Sequence, residues 1–347
     1  MSPQPGAAPP ATTAYTDAMR LAIRTAADVR SSTSPNPWVG AVVLDPSGTV
    51  VATGATQPPG GDHAEVVALR IAGDRAVGGT LVVTLEPCSH HGRTPPCVDA
   101  ILSARLARVV IGTPDPDPKV AGSGVTALRA AGVDVVVGVE ESEVRRQLRA
   151  YLHHRSTGRP YVVVKMAATL DGRTAAPDGS SRWITGESAR ADVHRLRAES
   201  DAVIVGAGTV RTDDPELTVR HVTGRDPLRV VLGSAPLDAR CRPCLEWDGG
   251  LPDLLERLGA DGCLQVLVEG GASVVAAFRS ARLVDEWVLY LAPAIFGGND
   301  ARPLLDGPTA PTIGELERGR IVEAVLIDGD LRIVIDGIAG SPGDEEA

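Results

Sequence analysis

Residues 81–106 read LVVTLEPCSHHGRTPPCVDAILSARL. The apolar run LVVTL ends at Glu86-Pro87, and CVDAILSARL has helical apolar spacing, so the stretch predicts a strand, a loop and a helix. Pro95-Pro96 sits where a helix begins, a place where proline's missing N–H costs nothing. Cys88 then ends the strand and Cys97 opens the helix, with eight residues between them. Zinc-binding cysteine pairs are usually two to four residues apart, so the long gap needs a reason.

Working outward, the same alternation continues in both directions. Upstream, the spacing of Ala18, Leu21, Ala22, Ala26 and Val29 predicts a helix, SPNP a turn, and WVGAVVLD with VVATG a hairpin. HAEVVALRIAG predicts a helix ending on Gly73. Downstream come strand RVVIGT, helix GSGVTALRAAG, strand VDVVVGV and helix ESEVRRQLRAYLHHRS. Such alternation implies an α/β layer fold with helices on both faces of a sheet. The polar turn TGRP marks a boundary, after which YVVVKMAATLDG starts a second alternating half. That half runs through helix SARADVHRLRAES, strands DAVIVGAG, RVVLGS and LQVLVEGG, helix ASVVAAFRSA and strand EWVLYLAP. It closes on IVEAVLID and LRIVID, paired across Gly-Asp.

The 347 residues suit two domains. Hydrophobic residues make up 43% and charged residues 22%, as in ordinary globular chains. A net charge of −10 without a basic run argues against a nucleic-acid partner. No apolar run reaches the length of a membrane span, so no membrane partner is expected. The Pro- and Ala-rich MSPQPGAAPPATTA lacks the charged and apolar regions of a signal peptide and reads as a disordered tail over residues 1–14, with a second tail over 341–347. Five cysteines suggest no disulfide framework, which points to a reducing, cytoplasmic setting.

His63, Cys88 and Cys97 offer one imidazole and two thiolates, leaving a fourth tetrahedral position open as a catalytic zinc requires. His63 and Glu65 point about 200° apart on a regular helix, so they share a site only over the helix end. Glu65, beside the open position and not a ligand, suits a proton carrier between water, a ring nitrogen and departing ammonia. H-x-E followed by P-C and a later Cys is the signature of zinc nucleobase deaminases. The competing reading is a closed zinc site with His90 or His91 as fourth ligand, which leaves Glu65 without a purpose.

TSPNPWVGAVV, HAEVVALR, VTLEPCSHHGRTPPC and the Asp-Pro stretch at 115–118 resemble the bifunctional riboflavin-biosynthesis deaminase/reductase family, over roughly residues 15–337. The resemblance implies a cytidine-deaminase-like three-layer domain at 15–155 and a dihydrofolate-reductase-like domain at 156–340. It implies zinc-dependent removal of the 2-amino group of a diaminopyrimidinone carrying a ribosyl phosphate, then NADPH-dependent reduction of the ribosyl group to ribityl. It also implies an oligomer, with a dimer favoured. Asn36, His90 and Arg93 fall on substrate positions, so the long loop becomes a device for choosing the substrate. Many members carry a histidine shortly before HAE; here the stretch is ATQPPGGD, and Thr56 or Gln57 would have to replace any contact it makes.

In the second half KMAATLDGRTA, SSRWIT, VGAGTVRTDDPELTVR and LVEGGASVVAAF carry the resemblance in order. It places Ala168, Trp183, Thr209, Asp213, Ser234 and Gly271, Ala272, Ser273, Val274, Val275, Ala276 and Ala277 on cofactor positions. Ser181, Arg197, Leu217, Arg220 and Glu269 fall on substrate positions. Gly206-Ala-Gly208 is no dinucleotide fingerprint, because Arg211 stands where the third glycine belongs. Gly270-Gly271 leads from a strand into a helix, where bare N–H groups can meet a pyrophosphate. Arg197 and Arg220 suit a phosphate clamp. Asp213 is a candidate proton donor, and Lys165, costly to bury unpaired, is expected to face the site as a third catalytic residue after Glu65 and Asp213.

Only about 30 residues separate RVVLGS from LQVLVEGG, fewer than in longer members, which bears on the cofactor site. They include Cys241-Arg-Pro-Cys244, read as two surface-loop thiols because nothing nearby completes a metal site. Two other functions compete: a nucleoside or tRNA deaminase with an inactive reductase-like domain, and a zinc-stabilised nucleotide-binding module. Acidic charge and the phosphate-directed loop count against the first, and the second has no use for Glu65.

Overall fold

The computed structural model describes residues 12–337 apart from His91, Arg93 and Lys119. Of these, residues 12–157 form one compact unit and residues 158–337 another.

In the first unit the elements are α1 (Thr12–Ala27), β1 (Gly40–Leu44), β2 (Val50–Ala55), α2 (Ala64–Ala72), β3 (Thr80–Leu85), α3 (Cys97–Ser103), β4 (Arg108–Thr113), α4 (Ser123–Ala130), β5 (Asp134–Val137), α5 (Glu141–Gln147) and α6 (Arg149–Thr157). The sheet order is β2-β1-β3-β4-β5. β1 is antiparallel to both β2 and β3, while β4 and β5 run parallel to β3. The ends of β2, β3 and β4 and the start of β1 therefore share one edge of the sheet. Helices cover both faces, and two glycines show how closely. Gly40 and Gly54 stand opposite Ala55 and Ala41 in the register, so they face opposite sides. A Cβ on Gly40 would lie 1.9 Å from the Ala22 carbonyl oxygen of α1, and one on Gly54 would lie 2.4 Å from the Ala64 carbonyl oxygen of α2.

The second unit contains β6 (Tyr161–Thr169), β7 (Arg173–Ala175), α7 (Glu187–Ala198), β8 (Ala202–Gly206), α8 (Ala207–Asp213), β9 (Leu228–Leu232), β10 (Leu245–Trp247), α9 (Leu251–Ala260), β11 (Gln265–Val268), α10 (Ala272–Ser280), β12 (Glu286–Ala292), β13 (Arg302–Pro303), β14 (Arg320–Ile327) and β15 (Asp330–Asp336). Its main sheet has the order β10-β9-β8-β11-β6-β12-β15-β14, parallel as far as β12 and antiparallel beyond. Both faces are buried, so the central strands read as unbroken Val/Ile/Leu runs. Alternate β6 residues show the two sides: Val162 and Val164 pack with Leu254, Leu258 and Phe278 of α9 and α10, and Val163 packs with Ala189 and Leu196 of α7.

Several expectations need correction. α1 begins at Thr12, inside the stretch expected as a tail; residues 1–11 and the expected tail at 341–347 lie outside the described residues. The long helix before the boundary is two helices with a break at Leu148. The final hairpin turns on Asp328-Gly329, not Gly-Asp; both residues have positive φ (48° and 98°), the left-handed pair that a two-residue turn demands. The shortened 235–262 stretch still builds β10 and α9, whose Leu251, Leu254, Leu255 and Leu258 recur at i, i+3, i+4 and i+7. Cys241 is not a surface thiol: it is fully buried beside Val205, Val210 and Val231, with half-buried Cys244 packed against that cluster.

The contact at Gly40 gives a stability prediction. Gly40→Ala must push α1 off the sheet, because its neighbour is backbone and cannot rotate away. Overpacking of this kind costs about 1–3 kcal/mol, so the urea midpoint of the first unit should fall. An unchanged midpoint would mean that α1 does not sit on β1 this closely.

Candidate active sites

The shared edge of the first sheet collects its chemistry. His63 follows the end of β2, Cys88 follows the end of β3, and Asn36 lies in the turn before β1. His63 is the N-cap of α2, with extended backbone (φ −74°, ψ 161°), so its side chain is free of the helical period that separates it from Glu65. Cys97 is the first residue of α3 and is buried.

The three ligand atoms lie within 4.8 Å of one another and are the only such group among the described residues. His63 Nδ1 is 3.2 Å from Cys97 Sγ and 3.6 Å from Cys88 Sγ. A tetrahedral zinc with ordinary Zn–N and Zn–S bonds needs N···S separations of about 3.6 Å. The Cys88 separation matches that value and the Cys97 separation of 3.2 Å is slightly shorter, so the donor set fits zinc after a small adjustment. Nδ1 faces the sulfurs, and the other ring nitrogen, Nε2, is 3.4 Å from the Thr94 hydroxyl, a partner that fixes the ring's orientation. The thiols are electrically unequal. A hydrogen bond with Cys97 pulls the Cys88 thiol down and His63 assists, whereas the same bond and burial push Cys97 up.

Glu65, in the first turn of α2, is 4% exposed, and burial pushes its carboxyl up from the ordinary range. A carboxyl so tuned exchanges protons nearer neutrality, as a general acid–base must. His90 is exposed on the long loop, and Arg93 lies outside the described residues. Thr56 is not free to replace the family's missing histidine: its buried hydroxyl accepts from Val39 N at 3.0 Å and so ties β2's end to the chain entering β1. Gln57 donates to Ala55 O at 3.2 Å.

Sequence reasoning passed over Glu86. Its buried carboxylate accepts four backbone N–H groups, from Asp115, Gly122, Gly124 and Val125, at 3.0–3.4 Å. This fastens the end of β3 to the start of α4 immediately before Cys88. Gly124 is obligatory there, since a Cβ would meet Pro87 O at 2.0 Å. The signal was present in EPC, but a carboxylate next to a metal motif draws attention to chemistry before architecture.

In the second unit a cavity of about 1310 Å³ opens at the C-terminal ends of β6, β8 and β11. That is where parallel α/β sheets bind ligands, and the volume exceeds what one small ligand fills. Lys165, Ser181, Trp183, Arg197, Thr209, Asp213, Leu217, Arg220, Glu269 and residues 271–275 line it. Ala168, Ser234, Ala276 and Ala277 do not; Ala168 is fully buried in β6. Gly271 caps α10, so the free N–H groups of its first turn face the cavity. Gly270 must be glycine, because a Cβ would lie 2.5 Å from that of Val274. Trp183 is 69% exposed, with the Arg190 guanidinium 4.5 Å above its ring.

The floor holds a charged cluster. Arg197 donates to both oxygens of Glu269 (Nε–Oε1 2.5 Å, Nη2–Oε2 3.0 Å), and Lys165 Nζ lies 3.6 Å from Oε2. Burial alone would raise the Glu269 carboxyl, but Arg197 and Lys165 outweigh it and hold it at about 2. His194, one turn before Arg197 on α7, accepts from Arg220 N at 3.0 Å. Burial, with the Arg197 and Arg220 charges, holds this histidine down to about 4, so it is neutral at pH 7. Its i, i+3 spacing from Arg197 was the signal available in the sequence.

The two sites define the class: a zinc-dependent deaminase and a reductase on one chain. Residues 12–113 match the cytidine and deoxycytidylate deaminase zinc-binding region, and 160–325 match the RibD C-terminal domain. The chain is 45% identical over 292 residues to a riboflavin biosynthesis protein RibD of Mycobacterium tuberculosis, spanning 81% of this chain and 86% of that one. The Escherichia coli K12 relative is 37% identical over 362 residues, covering 92% and 98%. Among solved structures, Acinetobacter baumannii RibD superposes with a TM-score of 0.87 at 37% identity, covering 94% of this chain and 99% of that one. The Thermotoga maritima diaminohydroxyphosphoribosylaminopyrimidine deaminase/5-amino-6-(5-phosphoribosylamino)uracil reductase gives 0.84 at 34% identity, covering 93% and 98%. The chain belongs to the RibD family of bifunctional riboflavin-biosynthesis deaminase/reductases, with a cytidine-deaminase-like domain followed by a dihydrofolate-reductase-like one. Zinc and NADPH are its cofactors, and a small phosphorylated pyrimidine is its substrate. No helix among the described residues is long and apolar enough to cross a membrane.

The Glu269 cluster has a pH signature. Its carboxyl is depressed from 4.5 to about 2. The stabilisation it brings is therefore present above pH 4.5 and is lost as the pH falls toward 2, a difference of about 3 kcal/mol at most. Glu269→Gln should lower stability at pH 7 by leaving Arg197 and Lys165 without a counter-charge, and should flatten the acid limb. Urea midpoints between pH 5 and 2.5 check this; wild-type and variant curves that run parallel would contradict it.

Proposed function

We propose that His63, Cys88 and Cys97 hold the deaminase zinc and that Glu65 is its proton carrier. The observation that carries this reading is the meeting of the three ligand atoms within 4.8 Å at the end of the helix that buries Glu65. Zinc in such a site supplies a water acidic enough to attack at neutral pH. Glu65 takes the proton that the attacking water loses and delivers it to the ring nitrogen beside the amino-bearing carbon. It then collects the remaining proton of the added hydroxyl as the carbonyl forms and passes it to the departing amine, so one water enters and one ammonia leaves. By the family resemblance, Asn36, His90 and Arg93 are assigned to recognition of the pyrimidine and its phosphate.

Reduction is assigned to the second cavity. NADPH supplies the hydride there. Its pyrophosphate is assigned to the first turn of α10 at 271–275, with Thr209 and Trp183 beside it; Ala168, Ser234, Ala276 and Ala277 are left with indirect roles. Ser181, Leu217, Arg220 and the Arg197–Glu269 pair receive the substrate. Asp213, at the end of α8 on the cavity wall, is the proton donor to the reduced sugar, and Lys165, held by Glu269, orients the sugar oxygens. Deamination precedes reduction. We assign 15–155 to the deaminase and 156–340 to the reductase. All five cysteines are free, which supports a cytoplasmic location, and the family resemblance supports a homodimer.

Glu65→Gln tests the proton carrier. The variant should keep its zinc, lose ammonia release by about 100-fold or more, and still oxidise NADPH when given the deaminated intermediate. Deamination at the wild-type rate would remove Glu65 from the reaction.

A further inference from the structure

Residues 214–227 run from α8 to β9 without helix or strand, and 220–226 are exposed. No backbone ladder fixes such a segment, so its shape depends on what its N–H and C=O groups meet elsewhere. Leu217 and Arg220 nevertheless reach the cavity wall from it. Leu217 (φ 56°) and His221 (φ 67°) also have left-handed backbone. Residues with side chains rarely adopt that conformation, and it persists where neighbours hold it.

Helix α7 supplies the hold. Arg197 Nη1 donates to Thr218 O at 3.2 Å, and one turn earlier on α7 His194 Nδ1 accepts from Arg220 N at 3.0 Å. The His194 ring also meets the His221 ring edge-on, with centroids 5.1 Å apart. At the near end Leu217 packs with Val210 and Val231. Val219 N donates to Asp226 Oδ1 at 2.7 Å, an exposed contact within the segment itself. His194 is 6% exposed and neutral at pH 7, so one ring nitrogen accepts while the other keeps the proton. Burying a polar ring beside Arg197 and Arg220 is costly unless it is hydrogen-bonded, and the Arg220 peptide supplies that bond.

We infer that His194 is a positioning residue of the reductase: by accepting the Arg220 N–H it fixes the 217–221 backbone, and with it the places of Leu217 and Arg220 at the cavity wall. It acts through those two residues and needs no contact with the substrate. This rests on the reading of the cavity as the reductase site.

His194→Ala, His194→Asn and His194→Gln would be compared with wild type. Asn brings its amide oxygen close to the place of Nδ1, whereas Gln reaches toward the place of Nε2, so the pair separates the two ring nitrogens. Reduction of the deaminated intermediate gives KM for that substrate and for NADPH, and hydrogen–deuterium exchange reports on residues 216–222. Urea midpoints and ammonia release control for folding. His194→Ala should raise KM for the substrate about tenfold, the upper end for one neutral hydrogen bond. It should leave kcat and KM for NADPH near wild type, and exchange over 216–222 should quicken by a similar factor. His194→Asn should restore both readouts and His194→Gln neither; this contrast decides the matter even if His194→Ala does not fold. Rescue by Gln and not by Asn would overturn the proposal, because it would assign the histidine's role to Nε2. Equal losses for substrate and NADPH with a lowered midpoint, or no change in any readout, would also overturn it. If wild type failed to reduce the intermediate, the reductase reading would fail, while exchange over 216–222 would still show whether His194 holds the segment.

Discussion

Parallel strands deliver their C-terminal ends to the same edge of a sheet, and both sites of this chain follow from that constraint. In the first unit β2, β3 and β4 share a direction, so His63, Cys88 and Asp115 emerge together despite their separation in sequence. In the second, β6, β8 and β11 bring Lys165, the start of α8 and Glu269 to one cavity. Buried hydrophobic strands fix this geometry before any polar contact is considered.

Two carboxylates turn the shared edges into defined sites, by different means. Glu86 carries no chemistry: its acceptors are filled by backbone N–H groups, and it anchors the Pro87-Cys88 peptide. A charge there is tolerable because four donors replace its water. Glu269 is instead surrounded by cations, and it fixes the directions of Arg197 and Lys165 on the cavity floor. Each would be a burden on stability alone, and each is compensated within its own cluster.

Much of this was legible in the sequence. The ligands His63, Cys88 and Cys97 could be read because strand end, proline pair and helix start fix where each side chain emerges. Their convergence was inferred from chemistry, and the three donors meet in the structure. The α/β alternation was equally plain. Other features were hidden because they depend on tertiary neighbours. Nothing around Thr56 announces that Val39 occupies its hydroxyl, and Cys241 in a Pro- and Arg-rich stretch looks like a loop until Val205, Val210 and Val231 close over it. Helix α9 is a different case, since its leucines at 251, 254, 255 and 258 carry the helical spacing in the sequence itself.

The central claim is that one chain removes ammonia at the His63/Cys88/Cys97 site and reduces the product at a separate cavity, in that order. The most direct measurement follows ammonia release and NADPH oxidation together on the diaminopyrimidinone phosphate, with metal-replete and metal-stripped protein. The account predicts one NADPH oxidised per ammonia released, with oxidation lagging. Stripped protein should do neither on this substrate, yet still oxidise NADPH when given the deaminated intermediate. NADPH oxidation that precedes ammonia release, or that persists on the diamino substrate after the metal is removed, would contradict it.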